Sequence, residues 1–301
     1  MNRAVLPLWR SALYVPVIVE RFVDKAHERG ADAVILDLED SIPPAEKPHA
    51  RSLVAAAAAR VAGHGTDVLV RLNRSWRMCM ADLESCVGPA VCAVVLPKVA
   101  DASHVRFIAE ILGELEAARG MEPGSTGIVG LIETPDALFD VRAIAGAHPR
   151  LLALTLGPED FALAAGMLPT PEGLFQPTLQ VALACAAAGI LPLGFVGSIA
   201  DFTDLEGFRA IIRQARRLGL RGAACIHPAQ VAVLNEEFSP SAAEIEDARG
   251  LIETFEAALS EGVGAVSYKG KMIDIPVVER ARALLEVDTA LRERAGRRQN
   301  I

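Results

Sequence analysis

The sequence predicts an α/β protein, a (β/α)8 TIM barrel over residues 1–238 followed by a C-terminal helical extension over 239–301. Three observations carry that prediction. Eight short apolar runs alternate with helical segments without a break in rhythm, which favours a closed barrel over an open sheet. The runs are apolar nearly throughout, as strands of a parallel sheet covered on both faces are. No Gly-rich turn follows the first run, where Tyr14-Val-Pro-Val-Ile-Val-Glu20 stands, and that argues against a dinucleotide-binding sheet.

Taken in order, strands are expected at 11–15, 33–38, 67–72, 92–96, 127–132, 151–156, 191–196 and 222–226. Helices are expected between them near 20–29, 45–62, 81–87, 101–119, 136–146, 170–188 and 204–218. Gly30, Gly63, Gly120, Gly189 and Gly219 stand where helices should stop. In the segment 204–218, Leu205, Phe208, Ile211, Ile212 and Ala215 fall on one apolar face. The uncharged stretch Gly173–Ala200 is long enough to raise a membrane span. Gln176, Pro177, Gln180, Gly189 and Pro192 interrupt it, and it divides into a helix and a strand of a soluble core. Past Asn235 a loop leads to a helix through about Leu259, opened by a Ser241/Glu244 capping box. Gly262 and Gly264 mark a connector, and a last helix begins near Pro276. This pair exceeds what a barrel needs and predicts an appendage that packs on a neighbouring subunit.

With 51% hydrophobic and only 5% aromatic residues, the core is built from Ala, Val, Leu and Ile. A net charge of −8 argues against nucleic acid or an anionic membrane as the main partner, while a local cluster can still hold a small anion. Cys79, Cys86, Cys92, Cys185 and Cys225 form no CxxC pair and no zinc spacing, so reduced structural thiols in a cytoplasmic protein are expected. The N-terminal segment has too short an apolar stretch for a signal peptide.

Barrels carry their chemistry at the C-terminal ends of their strands. Here six of the eight ends carry ionisable groups. They are Asp37, Glu39 and Asp40 after the second strand, Arg71 (with Asn73) after the third and Lys98 after the fourth. Glu133 follows the fifth, Glu159 and Asp160 the sixth, and His227 the eighth.

Glu133 ends the apolar run Ile128-Val-Gly-Leu-Ile132, where a carboxylate needs a cation or donors to offset desolvation. Asp160 stands at the next strand end. Two hard oxygen ligands on adjacent ends suit Mg²⁺, which takes one or two carboxylates and keeps places for water and substrate. Glu133 and Asp160 are therefore the expected Mg²⁺ ligands; Asp160 could instead cap the following helix, a task open to Glu159 as well. Arg71 brings a permanent cation to hold a carboxylate or stabilise an enolate or thioester oxygen. A structural ion pair with Asp37 or Glu39 is its rival role. Asp37, Glu39 and Asp40 are read as a layer behind the site, orienting metal-bound water or Arg71. His227 is expected to hold its loop, and His27, His49, His64, His104 and His148 to lie on the surface.

Further motifs run in order from about residue 10 to 285. They are Arg10-Ser-Ala-Leu-Tyr-Val-Pro16, Gly30-Ala-Asp-Ala-Val-Ile-Leu-Asp-Leu-Glu-Asp40, Glu46-Lys47, Val70-Arg-Leu-Asn73 and Leu96-Pro-Lys98. Leu131-Ile-Glu-Thr134, Gly157-Pro-Glu-Asp160, Cys225-Ile-His-Pro228 with Gln230, and Gly270-Lys-Met-Ile-Asp274 complete the set. Together they resemble the citrate lyase β-subunit-like family. The resemblance implies a Mg²⁺-dependent barrel that cleaves or forms a carbon–carbon bond in a citryl-, malyl- or citramalyl-CoA type ester. It places the Mg²⁺ ligands on Glu133 and Asp160, the substrate arginine on Arg71, and substrate contacts on Pro158, Glu159 and Asp160. It makes Asp274 an acid/base that reaches a neighbouring subunit's site, and implies a homo-oligomer, trimer or hexamer. Read from its own neighbours, Asp274-Ile-Pro276 is equally an N-cap. The chain departs from the family at Val17-Ile-Val-Glu20, at Leu174-Phe-Gln-Pro-Thr178 and at Gly222-Ala-Ala224, which leaves fewer cations at the mouth. A hydroxyacyl-CoA thioesterase, a CoA-independent 2-oxo-acid aldolase and a non-catalytic subunit of a lyase complex are the alternative functions.

Overall fold

Successive strand residues point to opposite faces, and in this chain both faces find cover. The computed structural model describes residues 6–198 and 203–299. Eight parallel strands form one sheet: β1 (Ser11–Pro16), β2 (Ala33–Asp37), β3 (Asp67–Arg71), β4 (Ala93–Leu96), β5 (Gly127–Ile132), β6 (Leu151–Leu156), β7 (Leu191–Leu193) and β8 (Ala223–Cys225). Their spatial order is β7-β6-β5-β4-β3-β2-β1-β8. Between the two end strands, the Gly194 N–H donates to the Gly222 carbonyl at 2.8 Å and the Arg221 N–H to the Pro192 carbonyl at 3.0 Å. These two bonds bring the ends of the sheet together as a barrel.

The alternation sorts the strand residues into two apolar layers. Ala12, Ala33, Ile35, Leu69, Val95, Val129 and Leu193 fill the barrel interior, where alanines leave room for the larger side chains. Val34, Leu36, Val68, Val70, Val94 and Leu154 face outward against the helices. Burying each of the larger side chains contributes about 2 kcal/mol. The covering helices are α1 (Glu20–Asp24), α2 (Lys47–Ala62), α3 (Trp76–Cys86), α4 (Ala102–Ala118), α5 (Pro135–Phe139), α6 (Val141–Ala145), α7 (Pro158–Ala165), α8 (Pro171–Ala188), α9 (Leu205–Arg217) and α10 (Pro228–Glu237).

Several boundaries differ from the sequence reading. Helix α3 starts at Trp76, ahead of the expected 81, and β7 ends at Leu193, short of 196. Gly194 takes φ +117° there, and a Cβ at this position would sit 2.9 Å from Thr155 Oγ1. Helices α7 and α10 are additions to the expected set. Each follows its strand almost at once and opens with proline at the first helical position.

The chain divides into two compact units, Met1–Phe238 and Ser239–Ile301. In the second, α11 (Ala242–Ser260) and α12 (Ile275–Gln299) flank a hairpin of β9 (Val266–Tyr268) and β10 (Lys271–Ile273). The connector expected at this place thus forms structure, turning through positive φ at Lys269 and Gly270, the backbone that two-residue hairpins require. The expected capping box is present: Ser241 Oγ accepts from the Glu244 N–H at 3.2 Å and Glu244 Oε2 from the Ser241 N–H at 2.8 Å. Among the described residues no helix is long and apolar enough to cross a membrane.

Candidate active site

The strand ends converge on a cavity of about 480 Å³. Arg71 and Asp37 face each other across the β3–β2 ladder. Arg71 Nε donates to Asp37 Oδ1 and Nη2 to Oδ2, both at 2.7 Å. Asp37 Oδ2 also accepts the Ser41 hydroxyl at 2.6 Å, and Oδ1 the Glu39 N–H at 2.9 Å. Burial opposes ionisation of Asp37, but the Arg71 guanidinium and the Ser41 hydroxyl hold its carboxyl below the usual carboxylate range. Arg71 Nη1 lies 3.1 Å from both Glu39 Oε2 and Asp40 Oδ2. Its guanidinium carbon stands 4.8 Å from the centre of the Tyr14 ring. Burial pushes the Glu39 carboxyl up to about 8, against the pull of Arg71. Behind this group, Lys47 Nζ donates to the carbonyls of Leu38 (2.8 Å) and Glu39 (2.5 Å), and Asn73 Nδ2 to Leu38 (2.8 Å), which fixes the loop. Asn73 and Lys47 are thus structural supports.

Glu133 follows β5, and Asp160 sits in the first turn of α7, straight after β6. Lys98 links them. Its backbone, held at φ +48°, donates an N–H to Glu133 Oε2 at 2.5 Å, and its Nζ lies 3.1 Å from Asp160 Oδ1. Glycine at 157 is required by close approach: a Cβ there would meet Glu133 Cγ and Oε1 at 2.5 Å. Burial pushes the Glu133 carboxyl up to about 7, opposed by the Lys98 N–H. Glu159 accepts the Ser198 hydroxyl. Gly157 stands at the N-cap of α7 with no side-chain cap, so the alternative capping role of Asp160 or Glu159 is not taken up.

The donor chemistry fits a hard divalent cation. Glu133 and Asp160 supply two carboxylates to one cavity, and an ammonium already balances Asp160. Among the described residues no cluster of three or more His, Cys, Asp or Glu is arranged for a metal, so a cation here would complete its shell with water and substrate, as Mg²⁺ does.

Of the sequence candidates, Arg71, Asp37, Asp40, Glu133, Pro158, Glu159 and Asp160 all line the cavity. Glu39 stands behind them against Arg71. His227 caps α10, its Nδ1 accepting the Ala229 N–H at 3.2 Å, while Gln230 Oε1 accepts the His227 N–H at 3.1 Å. Asp274 belongs to the second unit. There its carbonyl accepts the N–H groups of Val277 and Val278, both at 3.1 Å, at the start of α12. His104, expected on the surface, is 5% exposed. It packs under Trp76, with ring centres 4.8 Å apart, and burial lowers its pKa to about 4. Tyr14 and Thr155 also line the cavity; each stands two residues past an inward-facing alanine, Ala12 and Ala153, so the strand period marks both as inward-facing.

Residues 10–228 match the model of the HpcH/HpaI aldolase/citrate lyase family. The chain belongs to that family. It is 32% identical over 299 residues to the L-malyl-CoA/beta-methylmalyl-CoA lyase of Rhodobacter capsulatus, covering 92% of this chain and 93% of that protein. It is 35% identical over 281 residues to the citrate lyase subunit beta of Escherichia coli, covering 92% of each. Among solved structures it resembles CitE from Mycobacterium tuberculosis in complex with magnesium, acetoacetate and coenzyme A, with TM-score 0.73, 28% identity and 98% and 99% of the two chains covered.

Proposed function

We propose that this protein is a Mg²⁺-dependent carbon–carbon lyase acting on a hydroxyacyl-CoA ester of the malyl-, citramalyl- or citryl-CoA type, whose hydroxyl stands β to the thioester carbonyl. The observation that carries the reading is the pair Glu133 and Asp160 on adjacent strand ends beside Arg71, in a chain whose family members include lyases of CoA esters. Glu133 and Asp160 would hold the metal. Bound there, Mg²⁺ supplies Lewis-acid polarisation of the oxygen on the substrate's hydroxyl- or oxo-bearing carbon.

The remaining roles fall to the chain's own groups. The N–H groups at the start of α7, at Glu159 and Asp160, hold the carboxylate of the acid half at the positive end of the helix. Arg71 neutralises the oxygen of the acyl-CoA enolate left when the carbon–carbon bond breaks. Asp37 fixes the Arg71 guanidinium in one plane, so no reorientation is needed as charge develops. Asp274 of a neighbouring copy exchanges the proton at the enolate carbon, and the second unit packs on that copy in a trimer or hexamer. The protein works in the cytoplasm, where its thiols stay reduced.

The test is turnover of malyl-, citramalyl- and citryl-CoA by purified protein with Mg²⁺, with acyl-CoA and oxo-acid products separated by chromatography. At least one ester yields acetyl-CoA and an oxo acid, and Glu133→Ala loses that activity. Release of free CoA without an oxo acid would make the protein a thioesterase, and no turnover of any ester would overturn the reading.

A further inference from the structure

Among the described residues three side-chain hydroxyls line the cavity, those of Tyr14, Ser41 and Thr155. Two of them already donate to the protein. Ser41 donates to Asp37 Oδ2 at 2.6 Å, and Thr155 to the Leu156 carbonyl at 3.2 Å. The Tyr14 hydroxyl has no hydrogen-bond partner among the described residues. Its ring is fixed all the same. Tyr14 packs against the apolar layer inside the barrel, and the Arg71 guanidinium carbon stands 4.8 Å from its centre. A Tyr O–H in such surroundings ordinarily finds a partner, and this one opens on the cavity.

The strand order decides which substrate oxygen lies within its reach. Glu133 and Asp160, after β5 and β6, stand on one side of the mouth. Tyr14 on β1, Asp37 on β2 and Arg71 on β3 stand together on the other. With the hydroxyl- or oxo-bearing carbon held on the first side, the thioester carbonyl falls to the second. There Arg71 is an incomplete partner for a developing enolate, because its charge is shared before substrate enters. Nε and Nη2 are bonded to Asp37, and Nη1 lies 3.1 Å from both Glu39 and Asp40. A neutral O–H adds a donor without adding a charge to desolvate. Burial pushes the phenol's pKa up, against the pull of Arg71, so the proton stays on its oxygen.

We infer that Tyr14 is a catalytic residue whose hydroxyl donates, beside Arg71, to the thioester oxygen of the substrate. That bond strengthens as the oxygen gains the charge of the enolate. The phenol keeps its proton throughout; it stabilises charge and exchanges nothing. The inference rests on the lyase reading for the presence of that oxygen.

Tyr14→Phe removes the hydroxyl and keeps the ring against Arg71. Single-turnover cleavage of the best ester among malyl-, citramalyl- and citryl-CoA reads the chemical step. The expected rate is lower by about a hundredfold, the cost of losing one donor to an oxyanion. KM, the Mg²⁺ affinity measured by calorimetry and the melting temperature stay at their wild-type values. A wild-type rate in the variant overturns the inference. A rise in KM alone overturns it as well, since the hydroxyl would then be a ground-state contact. So does weakened Mg²⁺ binding, which would make Tyr14 a support of the metal site. Contact is read separately. The chain has two tyrosines, so in 3-fluorotyrosine-labelled protein the Tyr14 fluorine resonance is the one missing from Tyr14→Phe. It should shift when acetyl-CoA is added with Mg²⁺, and a resonance that stays in place counts against the inference. Failure of the wild type to cleave any ester overturns the lyase reading and this assignment together; cleavage by both proteins at one rate overturns the assignment alone.

Discussion

Arg71 and Asp37, partners across the β3–β2 ladder, are locked by two parallel 2.7 Å bonds at the floor of the cavity. The guanidinium fork matches the carboxylate in a way an ammonium cannot. Arg71→Lys keeps the charge and loses the fork. It is expected to lower kcat by about a hundredfold or more while the melting temperature shifts little, measured by steady-state turnover beside thermal unfolding. A wild-type kcat in this variant would mean that Arg71 serves only as the ion-pair partner of Asp37 and Glu39.

Gly157 lies so close to Glu133 that a methyl group would displace the carboxylate. The added Cβ would stand 2.5 Å from Glu133 Oε1. Gly157→Ala is expected to weaken Mg²⁺ binding by about tenfold or more with the fold retained, because small displacements of a ligand cost metal affinity on this scale. Calorimetry with Mg²⁺ and circular dichroism check both halves.

The barrel's acid sensitivity is expected to reside partly in Glu116. Arg150 donates to its two oxygens at 2.8 and 2.6 Å, and the N–H groups of Gly124 and Thr126 add 2.7 and 2.8 Å bonds. Burial alone would raise its pKa, but these donors lower it from 4.5 to about 2. A depressed carboxyl contributes stability that is fully present above pH 4.5 and is lost as pH falls toward 2. Urea unfolding of the wild type and Glu116→Gln should differ by about 2 kcal/mol at pH 7, and the gap should close between pH 4.5 and pH 2. A gap independent of pH would place the stabilisation in packing.

The architecture was legible because strand period, helix period and strand-end acids agreed. Ala33-Val-Ile-Leu-Asp37 reads as a buried strand in any context, and Asp37, Arg71, Glu133 and Asp160 all fall where such strands stop. Short elements were less legible. Helix α7 is eight residues long and opens Pro158-Glu159-Asp160, a sequence equally suited to a loop or a cap. What the sequence could not supply was engagement between strands. The Lys98 backbone that grips Glu133, the Gly157 contact and the stacking of Arg71 on Tyr14 all join residues brought together by barrel closure. The burial of His104 is hidden from the sequence for the same reason, since Trp76, which covers it, lies on a different helix.

Titration of Mg²⁺ into metal-free protein, wild type against Glu133→Gln and Asp160→Asn, tests the central claim most directly. The account predicts one site per chain in the wild type, weakened by about a hundredfold or more in each variant. Wild-type affinity in a chain carrying both substitutions would contradict it.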